Sequence, residues 1–187
     1  MNNNDMNALI MKASRLLVAL LMFVSCIQED FTYEKADFTS PDVDMDIQSF
    51  VNSQDSLSIL AEALSITGLG TRLSSGIYTL IAPDNVAFRN YLSSTAYKTL
   101  DNFPVTELAT LMENHIIPDR RLLLFDPVTT EEQQFESLSG KILRIYYNND
   151  LNATRYYRMF VNGIQITTQG WKPTNGVVHV TNRGVIK

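Results

Sequence analysis

The feature that most constrains the fold of this chain is a change of pattern near residue 122. Before it, apolar residues recur at the spacing of one helix face, as in Leu57, Leu60 and Leu64. After it, short β-prone segments alternate with turns rich in Gly, Asn and Asp. These segments are 122–125, 141–147, 156–161, 164–168 and 177–181. Helices first and strands later, with one early strand at 77–82, predict an α+β fold and not a doubly wound sheet.

The first two helices are predicted from spacing and capping residues. One covers 56–66, and Asp55 or Ser56 is its expected cap. The other follows Pro83-Asp84-Asn85, because Pro83 ends the early strand and Asp84 or Asn85 can cap the next helix.

A third helix is predicted after Pro104, with Thr106 as its cap and Pro118-Asp119 as its end. The inner face of this helix is expected to carry Leu108, Leu111, Met112 and His115. Further along, Asn162-Gly163 between two β-prone runs predicts a tight hairpin.

The N-terminus has the layout of a secretory signal. Lys12 and Arg15 stand just before an apolar run over residues 16–24. The uncharged stretch up to Cys26 is too short to cross a bilayer as a helix, which takes about 20 residues. Its end at Cys26 resembles the lipobox of bacterial lipoproteins, in which that cysteine is lipidated. We therefore predict a lipoprotein signal peptide over 1–25 and lipidation at Cys26. The alternative is ordinary signal-peptidase cleavage that leaves an incidental free cysteine.

Residues 26–47 are predicted to be the lipidated cysteine and an acidic tether. From residue 27 to residue 48 the chain holds seven acids and one base. The acidic pair Glu29-Asp30, directly after the cysteine, resembles the surface-export signal of lipoproteins in the Bacteroidetes. This resemblance implies an outer-membrane lipoprotein displayed at the cell surface. Residues 48–187 then form a single domain.

Charge and composition exclude several classes of function. The formal net charge is −5 and the sequence has no block of basic residues, so it lacks the positively charged surface that binds DNA or RNA. One cysteine excludes an intrachain disulfide, and two histidines leave little material for a metal centre. No cofactor and no metal is predicted.

Three segments resemble the signatures of fasciclin domains. Residues 79–88 read TLIAPDNVAF, residues 111–118 read LMENHIIP and residues 175–182 read NGVVHVTN. Their order and spacing cover a single copy over 48–187. The resemblance implies a fasciclin-like α+β fold, in which N-terminal helices pack with a sheet or wedge formed mainly by the C-terminal half. It also implies structural roles for the signature residues, which are Thr79, Ala82, Pro83, Asn85, Phe88, His115, Pro118, Asn175, Gly176 and His179.

The sequence departs from the family pattern at several positions. Ile81 stands where the first signature usually has Phe, and Thr181-Asn182 replaces the usual Ile-Asp, which we expect to cost a structural hydrogen bond. Asn114 stands where the central element usually has Tyr. In animal members that Tyr-His region is associated with integrin-dependent adhesion, so integrin binding is not carried over to this chain.

No catalytic constellation is visible in the sequence. His115 and His179 could be ligands or bases, but a buried histidine hydrogen-bonded to backbone is the favoured interpretation of each. There is no Gly-x-Ser-x-Gly nucleophile elbow. We therefore predict that the protein is not an enzyme.

Aromatic residues are denser between residues 146 and 171 than elsewhere. Adjacent tyrosines in a strand point to opposite faces, so one of each pair is expected at a surface or interface. We predict a binding surface at Tyr147, Tyr157 and Trp171, the alternative being edge-strand packing. Separately, Asp55-Ser56-Leu57 resembles an O-glycosylation site of the Bacteroidetes, with a helix cap as the alternative.

These features together predict a fasciclin-domain lipoprotein of the Bacteroidetes type. Its expected role is non-catalytic recognition or adhesion at the cell surface, with an envelope or extracellular protein, or a glycan, as its partner. The alternative is an accessory binding lipoprotein of an outer-membrane system that takes up nutrients, glycans in particular.

Overall fold

The fold consists of two β-sheets and five short helices, within the part of the chain that the computed structural model describes, residues 41–123, 131–148 and 158–187. The helices are α1 (Ile47–Ser53), α2 (Ser58–Ile66), α3 (Leu69–Leu73), α4 (Asn85–Ser94) and α5 (Val105–Glu113), and a 3-10 turn at Asp55–Leu57 precedes α2. The strands are β1 (Asp42–Val43), β2 (Tyr78–Pro83), β3 (Ile116–Pro118), β4 (Gln133–Glu136), β5 (Ile142–Asn148), β6 (Arg158–Val161), β7 (Ile164–Gln165), β8 (Thr168–Pro173) and β9 (Gly176–Thr181).

The larger sheet has five strands in the order β1-β8-β9-β2-β3. In it β1 pairs with β8, and β2 with β9, in parallel, whereas β3 and β8 run antiparallel to their neighbours β2 and β9. The smaller sheet has four strands in the order β4-β5-β6-β7, all antiparallel. The predicted α+β class is confirmed, because helices and a meander sheet flank a mixed sheet that joins the early strand to the last one.

The five-stranded sheet separates two hydrophobic cores. Along β2, Leu80 and Ala82 belong to the core on the helix side, whereas Ile81 belongs to the core between the two sheets. This split follows from the alternation of side chains along a strand. The helix-side core holds the fully buried Phe50 and Phe88, each worth roughly 1.5–3 kcal/mol on burial. The inter-sheet core consists of Ile81, Ile117, Leu143, Ile145, Met159, Val161, Ile166 and Ile186.

Capping explains two of the helix starts. The Asp84 side chain accepts hydrogen bonds from the backbone N–H groups of Val86 and Ala87, both at 2.9 Å, so Asp84 is the cap of α4, as predicted. Asp46 caps α1 in the same way by accepting from the N–H of Ser49 at 2.8 Å. The N–H groups at a helix start lack partners within the helix, and these carboxylates supply them.

The other predicted caps are wrong. Helix α5 begins at Val105, after Pro104, and no side chain caps it, so Thr106 is not its cap. Helix α2 begins at Ser58, because Asp55 and Ser56 lie in the preceding 3-10 turn, where Ser56 is exposed.

Helix α5 also ends earlier than predicted. It stops at Glu113, and Ile116–Pro118 forms strand β3, whose Ile116 and Ile117 pair with β2. The residue before a proline is disfavoured in helical conformation, and pairing with the sheet gives these backbone groups partners. His115 therefore lies in the turn between α5 and β3, and not on the helix.

The domain begins before residue 48. Asp42 and Val43 pair in parallel with Lys172 and Pro173, and α1 starts at Ile47. The part of the predicted tether from residue 42 to residue 47 thus belongs to the domain, because its backbone completes the edge of the five-stranded sheet. Residues 26–40, including Cys26, lie outside the described residues, as does the predicted signal peptide.

Four of the strands predicted after residue 122 are confirmed in part, because β5, β6, β7 and β9 overlap predicted segments. Asn162 and Gly163 have positive φ angles of 47° and 79° and join β6 to β7, which confirms the hairpin. Leu122 and Leu123 are not in a strand, and the rest of segment 122–125 lies outside the described residues. Strands β3, β4 and most of β8 were not predicted.

Candidate recognition face

The outer face of the four-stranded sheet carries side chains that point away from the inter-sheet core. Burial alternates along β5: Leu143 and Ile145 are buried, whereas Ile142 and Arg144 are exposed. Ile142 is 47% exposed, so an aliphatic side chain on this face is accessible to a partner. Among the residues whose side chains the structure describes, strand register places eight on this outer face, namely Gln134, Glu136, Ile142, Arg144, Tyr146, Arg158, Phe160 and Gln165.

A stacked aromatic pair lies at the middle of the outer face. Tyr146 on β5 and Phe160 on β6 are cross-strand partners, and both are half-buried. Their ring centroids are 5.1 Å apart and their planes differ by only 6°. A pair of this geometry adds roughly 0.5–1.5 kcal/mol beyond area burial, so it presents a firmly held apolar surface to solvent.

Charged groups surround the aromatic pair. The Arg144 Nε atom lies 3.7 Å from Glu132 Oε1, and the two side chains are 63% and 41% exposed. An exposed pair at this distance is worth about 0–1 kcal/mol, so a ligand can displace it. Arg158 is exposed and forms no ion pair or hydrogen bond with another residue in the described part of the chain. The outer face thus combines an apolar strip with accessible donors and acceptors.

The structure places the predicted surface residues differently from the prediction. Tyr147 points inward and packs on the inter-sheet core. Trp171 packs on the helix-side core, with its ring centroid 5.3 Å from that of Phe50. Tyr157 lies outside the described residues. Both tyrosines are half-buried, and the one on the outer face is Tyr146. The sequence indicates this face, because Tyr146 alternates in step with Arg144, and an arginine is rarely buried in a core.

His115 is fully buried and uses both ring nitrogens in backbone hydrogen bonds. Its Nδ1 lies 2.7 Å from the carbonyl oxygen of Leu111, and its Nε2 accepts from the N–H of Ile186 at 2.9 Å. The ring must therefore carry its proton on Nδ1 and be neutral. Burial lowers its pKa from 6.5 to about 4, against the opposing effect of the Leu111 carbonyl.

His179 has the opposite tautomer. Its Nε2 lies 2.7 Å from the carbonyl oxygen of Leu122, so Nε2 donates, and its Nδ1 accepts from the N–H of Gly170 at 3.1 Å. Burial lowers its pKa to about 4 as well, against the effect of the Leu122 carbonyl. Both rings are occupied in holding backbone segments together. Within residues 41–123, 131–148 and 158–187 no group of three His, Cys, Asp or Glu side chains could hold a metal ion.

The closing signature joins two helices to the sheet. The Asn175 Oδ1 atom accepts from the N–H of Ile47 at the start of α1, at 2.9 Å, and its Nδ2 donates to the carbonyl of Leu73 at the end of α3, at 2.8 Å. A Cβ atom on Gly176 would overlap the backbone carbonyl of Tyr78 on β2. Only glycine allows β9 to approach β2 so closely.

The other signature residues are also structural. The Thr79 hydroxyl donates to the carbonyl of Arg120 at 2.8 Å and accepts from the N–H of Leu122 at 2.9 Å. The Asn85 side chain accepts from the N–H of Ile59 at 3.0 Å and donates to the carbonyl of Asp55 at 2.9 Å. The remaining positions are Ala82 and Phe88, which are buried, and Pro83 and Pro118, which end β2 and β3.

The positions that depart from the family pattern make hydrogen bonds of their own. Asn114 is buried, accepts from the Ser139 hydroxyl at 2.5 Å and donates to the carbonyl of Ile186 at 3.4 Å. The Thr181 hydroxyl donates to the carbonyl of Gln165 at 2.8 Å and accepts from the N–H of Arg183 at 3.1 Å. Thr181 therefore has two partners of its own, and the hydrogen bond that we expected Thr181-Asn182 to cost stays a prediction.

A cleft of about 380 Å³ lies at the edge of the five-stranded sheet, beside β1. Its two cationic side chains already have partners: Lys172 Nζ lies 3.7 Å from Asp42 Oδ1, and Arg121 donates to the carbonyl of Thr174 at 2.6 Å. Unlike the outer face of the four-stranded sheet, this cleft has no aromatic side chain among its described lining residues.

Comparison with known proteins gives a consistent family signal. The fasciclin domain model matches residues 55–186. Transforming growth factor-beta-induced protein ig-h3 of Sus scrofa is 28% identical over 135 residues, which is 71% of this chain and 18% of that protein. A solved FAS1 domain pair from the insect cell adhesion molecule fasciclin I aligns with a TM-score of 0.63 at 14% identity, over 76% of this chain and 51% of that one. This chain spans less than a fifth of the curated relative and about half of the solved pair.

None of the described helices combines the length and apolar character that a membrane span requires.

Proposed function

This chain belongs to the fasciclin domain family, and on that premise we propose that it is a non-catalytic adhesion module whose contact surface is the outer face of the four-stranded sheet. The observation that carries the proposal is the half-buried stacked pair of Tyr146 and Phe160 on the outer face of a sheet whose opposite face packs on the inter-sheet core. Aromatic side chains with polar neighbours are the usual anchors of recognition surfaces. Fasciclin I, whose FAS1 pair has the same fold, is described as a cell adhesion molecule.

The state of the two histidines supports a binding role over a catalytic one. His115 and His179 are neutral, fully buried and engaged on both ring nitrogens, so neither can reach a substrate or transfer a proton to it. The family signature residues likewise hold backbone segments together. What the fold presents to solvent is a contact surface.

Lipid anchoring at Cys26 is part of the same proposal. The apolar run over 16–24 behind Lys12 and Arg15 supports export, and the cysteine at its end supports acylation. Acyl chains contribute about 0.8 kcal/mol for each buried methylene, which would hold the module at the outer membrane with its acidic tether as a spacer. Substituting Cys26→Ser should move the protein from the membrane fraction to the soluble fraction, and retention in the membrane would contradict acylation.

The adhesion proposal can be tested with a matched pair of surface substitutions. Beads coated with the full mature chain are mixed with cells of the producing organism, and bound beads per cell are counted. Ile142→Ser removes an aliphatic side chain from the outer face, and Val105→Ser removes one of similar exposure, 53%, from the start of α5. We expect Ile142→Ser to reduce attachment and Val105→Ser to leave it unchanged. Equal attachment by both variants would exclude the outer face.

A further inference from the structure

We infer that the outer face of the four-stranded sheet binds an acidic polysaccharide, one whose sugar rings carry carboxylates. This inference rests on the proposed function and names the class of partner for the same face. It is carried by the placement of two arginines around the stacked pair of Tyr146 and Phe160.

The two arginines lie at opposite ends of the aromatic pair. Arg144 precedes Tyr146 by two residues on β5, and Arg158 precedes Phe160 by two residues on β6. Because β5 and β6 are antiparallel and Tyr146 faces Phe160, the two arginines point to the same side of the sheet but flank the pair from opposite directions. At about 3.3 Å per residue, each Cα lies roughly 7 Å along the strand from the aromatic row.

The chemistry of this arrangement matches a sugar ring with a carboxylate. The apolar C–H face of a sugar ring packs on an aromatic side chain, and Tyr146 and Phe160 supply that surface. A guanidinium group binds a carboxylate with two parallel hydrogen bonds, a geometry that a lysine ammonium does not offer. Arg158 is exposed and has no acidic partner in the described part of the chain, so its charge is available.

The distribution of charge on the face also predicts how the polysaccharide is oriented on it. Glu136 pairs with Ile142, on the far side of Arg144 from the aromatic row, and Glu132 is already near Arg144. Both acids are therefore at the Arg144 end, and among the described residues of the face the charged side chain at the other end is Arg158. The carboxylate of the ligand belongs beside Arg158, and its hydroxyl groups belong beside the Gln134 and Gln165 amides, which can donate and accept.

Other macromolecules fit this face less well. A protein partner needs a broad apolar centre, whereas the described residues of this face supply an apolar strip of only the aromatic pair and Ile142. Single-stranded RNA also stacks on aromatic residues, but it binds through many phosphates along a basic groove. The net charge of −5 and the two acids near Arg144, Glu132 and Glu136, do not provide such a groove.

The test uses the full mature chain, with polygalacturonate and its methyl-esterified form as probes, because esterification removes the charge and retains the rings. We expect the acid form to bind and the ester to bind at least tenfold more weakly. Arg158→Gln should lower the affinity for the acid form at least tenfold and leave binding of the ester unchanged, since hydrogen bonds between a guanidinium group and a carboxylate are stronger than those between neutral groups. Arg89→Gln, an exposed arginine on α4, is the matched control and should have no effect.

The outcomes separate this inference from the proposed function. Equal binding of the acid and ester forms, or tighter binding of polyuridylate than of polygalacturonate, would overturn the acidic polysaccharide. So would a failure of the acid form to bind while bead attachment still depends on Ile142, although the adhesion proposal would then stand. Loss of binding in Arg158→Gln counts as support only if its thermal unfolding midpoint matches that of the parent.

Discussion

The backbone N–H of Ile186 donates a hydrogen bond to the Nε2 atom of His115 at 2.9 Å, although the two residues are 71 positions apart in the chain. The other ring nitrogen of His115 is hydrogen-bonded to Leu111, and the neighbouring Asn114 donates to the carbonyl of Ile186. The side chain of Ile186 is buried in the inter-sheet core. The central signature thus fastens the end of the chain to the turn after α5.

Replacing His115 with Ala should destabilise the domain strongly. The substitution leaves the Ile186 N–H and the Leu111 carbonyl buried without partners, at a cost of roughly 2–4 kcal/mol in the free energy of unfolding. Urea denaturation of the full chain measures this cost. Asn182→Ala, at an exposed position, is the control and should change the free energy of unfolding by less than about 0.5 kcal/mol. If the free energy of unfolding falls no further in His115→Ala than in the control, the hydrogen bonds of the His115 ring do not stabilise the domain.

Stability should fall as the medium becomes mildly acidic. His115 and His179 have folded-state pKa values of about 4, below the ordinary value of 6.5 that applies to the unfolded chain. Between these values the unfolded chain binds more protons, so the free energy of unfolding decreases as pH falls from about 6.5 toward 4, by up to about 3 kcal/mol for each ring. Urea midpoints measured between pH 7 and pH 5 test this before most carboxylates titrate. A flat or rising midpoint over that range would contradict two neutral buried rings.

Two glycine-to-alanine substitutions should differ sharply in their effect on the stability of the domain. Gly176→Ala places a methyl group against the Tyr78 carbonyl and 2.6 Å from the Ile47 Cδ1 atom, so β9 and β2 must separate. We expect a loss of roughly 3 kcal/mol or more, as for other overpacked positions next to backbone. Gly184→Ala meets nothing closer than 3.5 Å and should be tolerated. The midpoint of thermal unfolding is measured for both variants and should fall much further for Gly176→Ala. Similar midpoints for the two would show that the close approach of the strands is not required.

Asn175 offers a graded test of how the helices are joined to the sheet. Asn175→Ala removes both of its hydrogen bonds and should cost roughly 2–3 kcal/mol. Asn175→Asp keeps an acceptor for the N–H of Ile47 but loses the donor to the Leu73 carbonyl. The free energy of unfolding should therefore fall less in Asn175→Asp than in Asn175→Ala. Chemical denaturation ranks the variants. An Asp variant less stable than the Ala variant would indicate that the contact to Leu73 dominates.

Much of the fold could be predicted from local patterns. The strand over 78–83, the Asp84 cap and the Asn162-Gly163 hairpin each depend on a few adjacent residues, so the sequence shows them directly. The end of α5 could not be found in this way, because Ile116 and Ile117 leave the helix to pair with a strand nearly forty residues earlier. The strand β1 was missed for the same reason, since Asp42 and Val43 have no β pattern of their own and pair with Lys172 and Pro173.

The candidate site shows the same limit. Aromatic density indicated the strands that carry the proposed contact surface, but the sequence analysis selected Tyr147, whereas the outward residue is Tyr146. The face of a strand depends on its register with both neighbours, and a shift of one residue exchanges the two faces. Trp171 appeared available because its partner Phe50 lies in a helix more than one hundred residues away. Neither placement follows from composition.

The most direct test of the outer face compares two adjacent tyrosines. Tyr146→Ala removes half of the stacked pair on the outer face, whereas Tyr147→Ala removes a side chain packed on the inter-sheet core. Attachment of beads coated with the full chain to cells, and the free energy of unfolding, are measured for both variants. The account predicts that Tyr146→Ala loses most attachment with a stability change below about 1 kcal/mol, and that Tyr147→Ala loses roughly 1–3 kcal/mol of stability but retains attachment while folded. The reverse pattern, or full attachment by both variants, would contradict it.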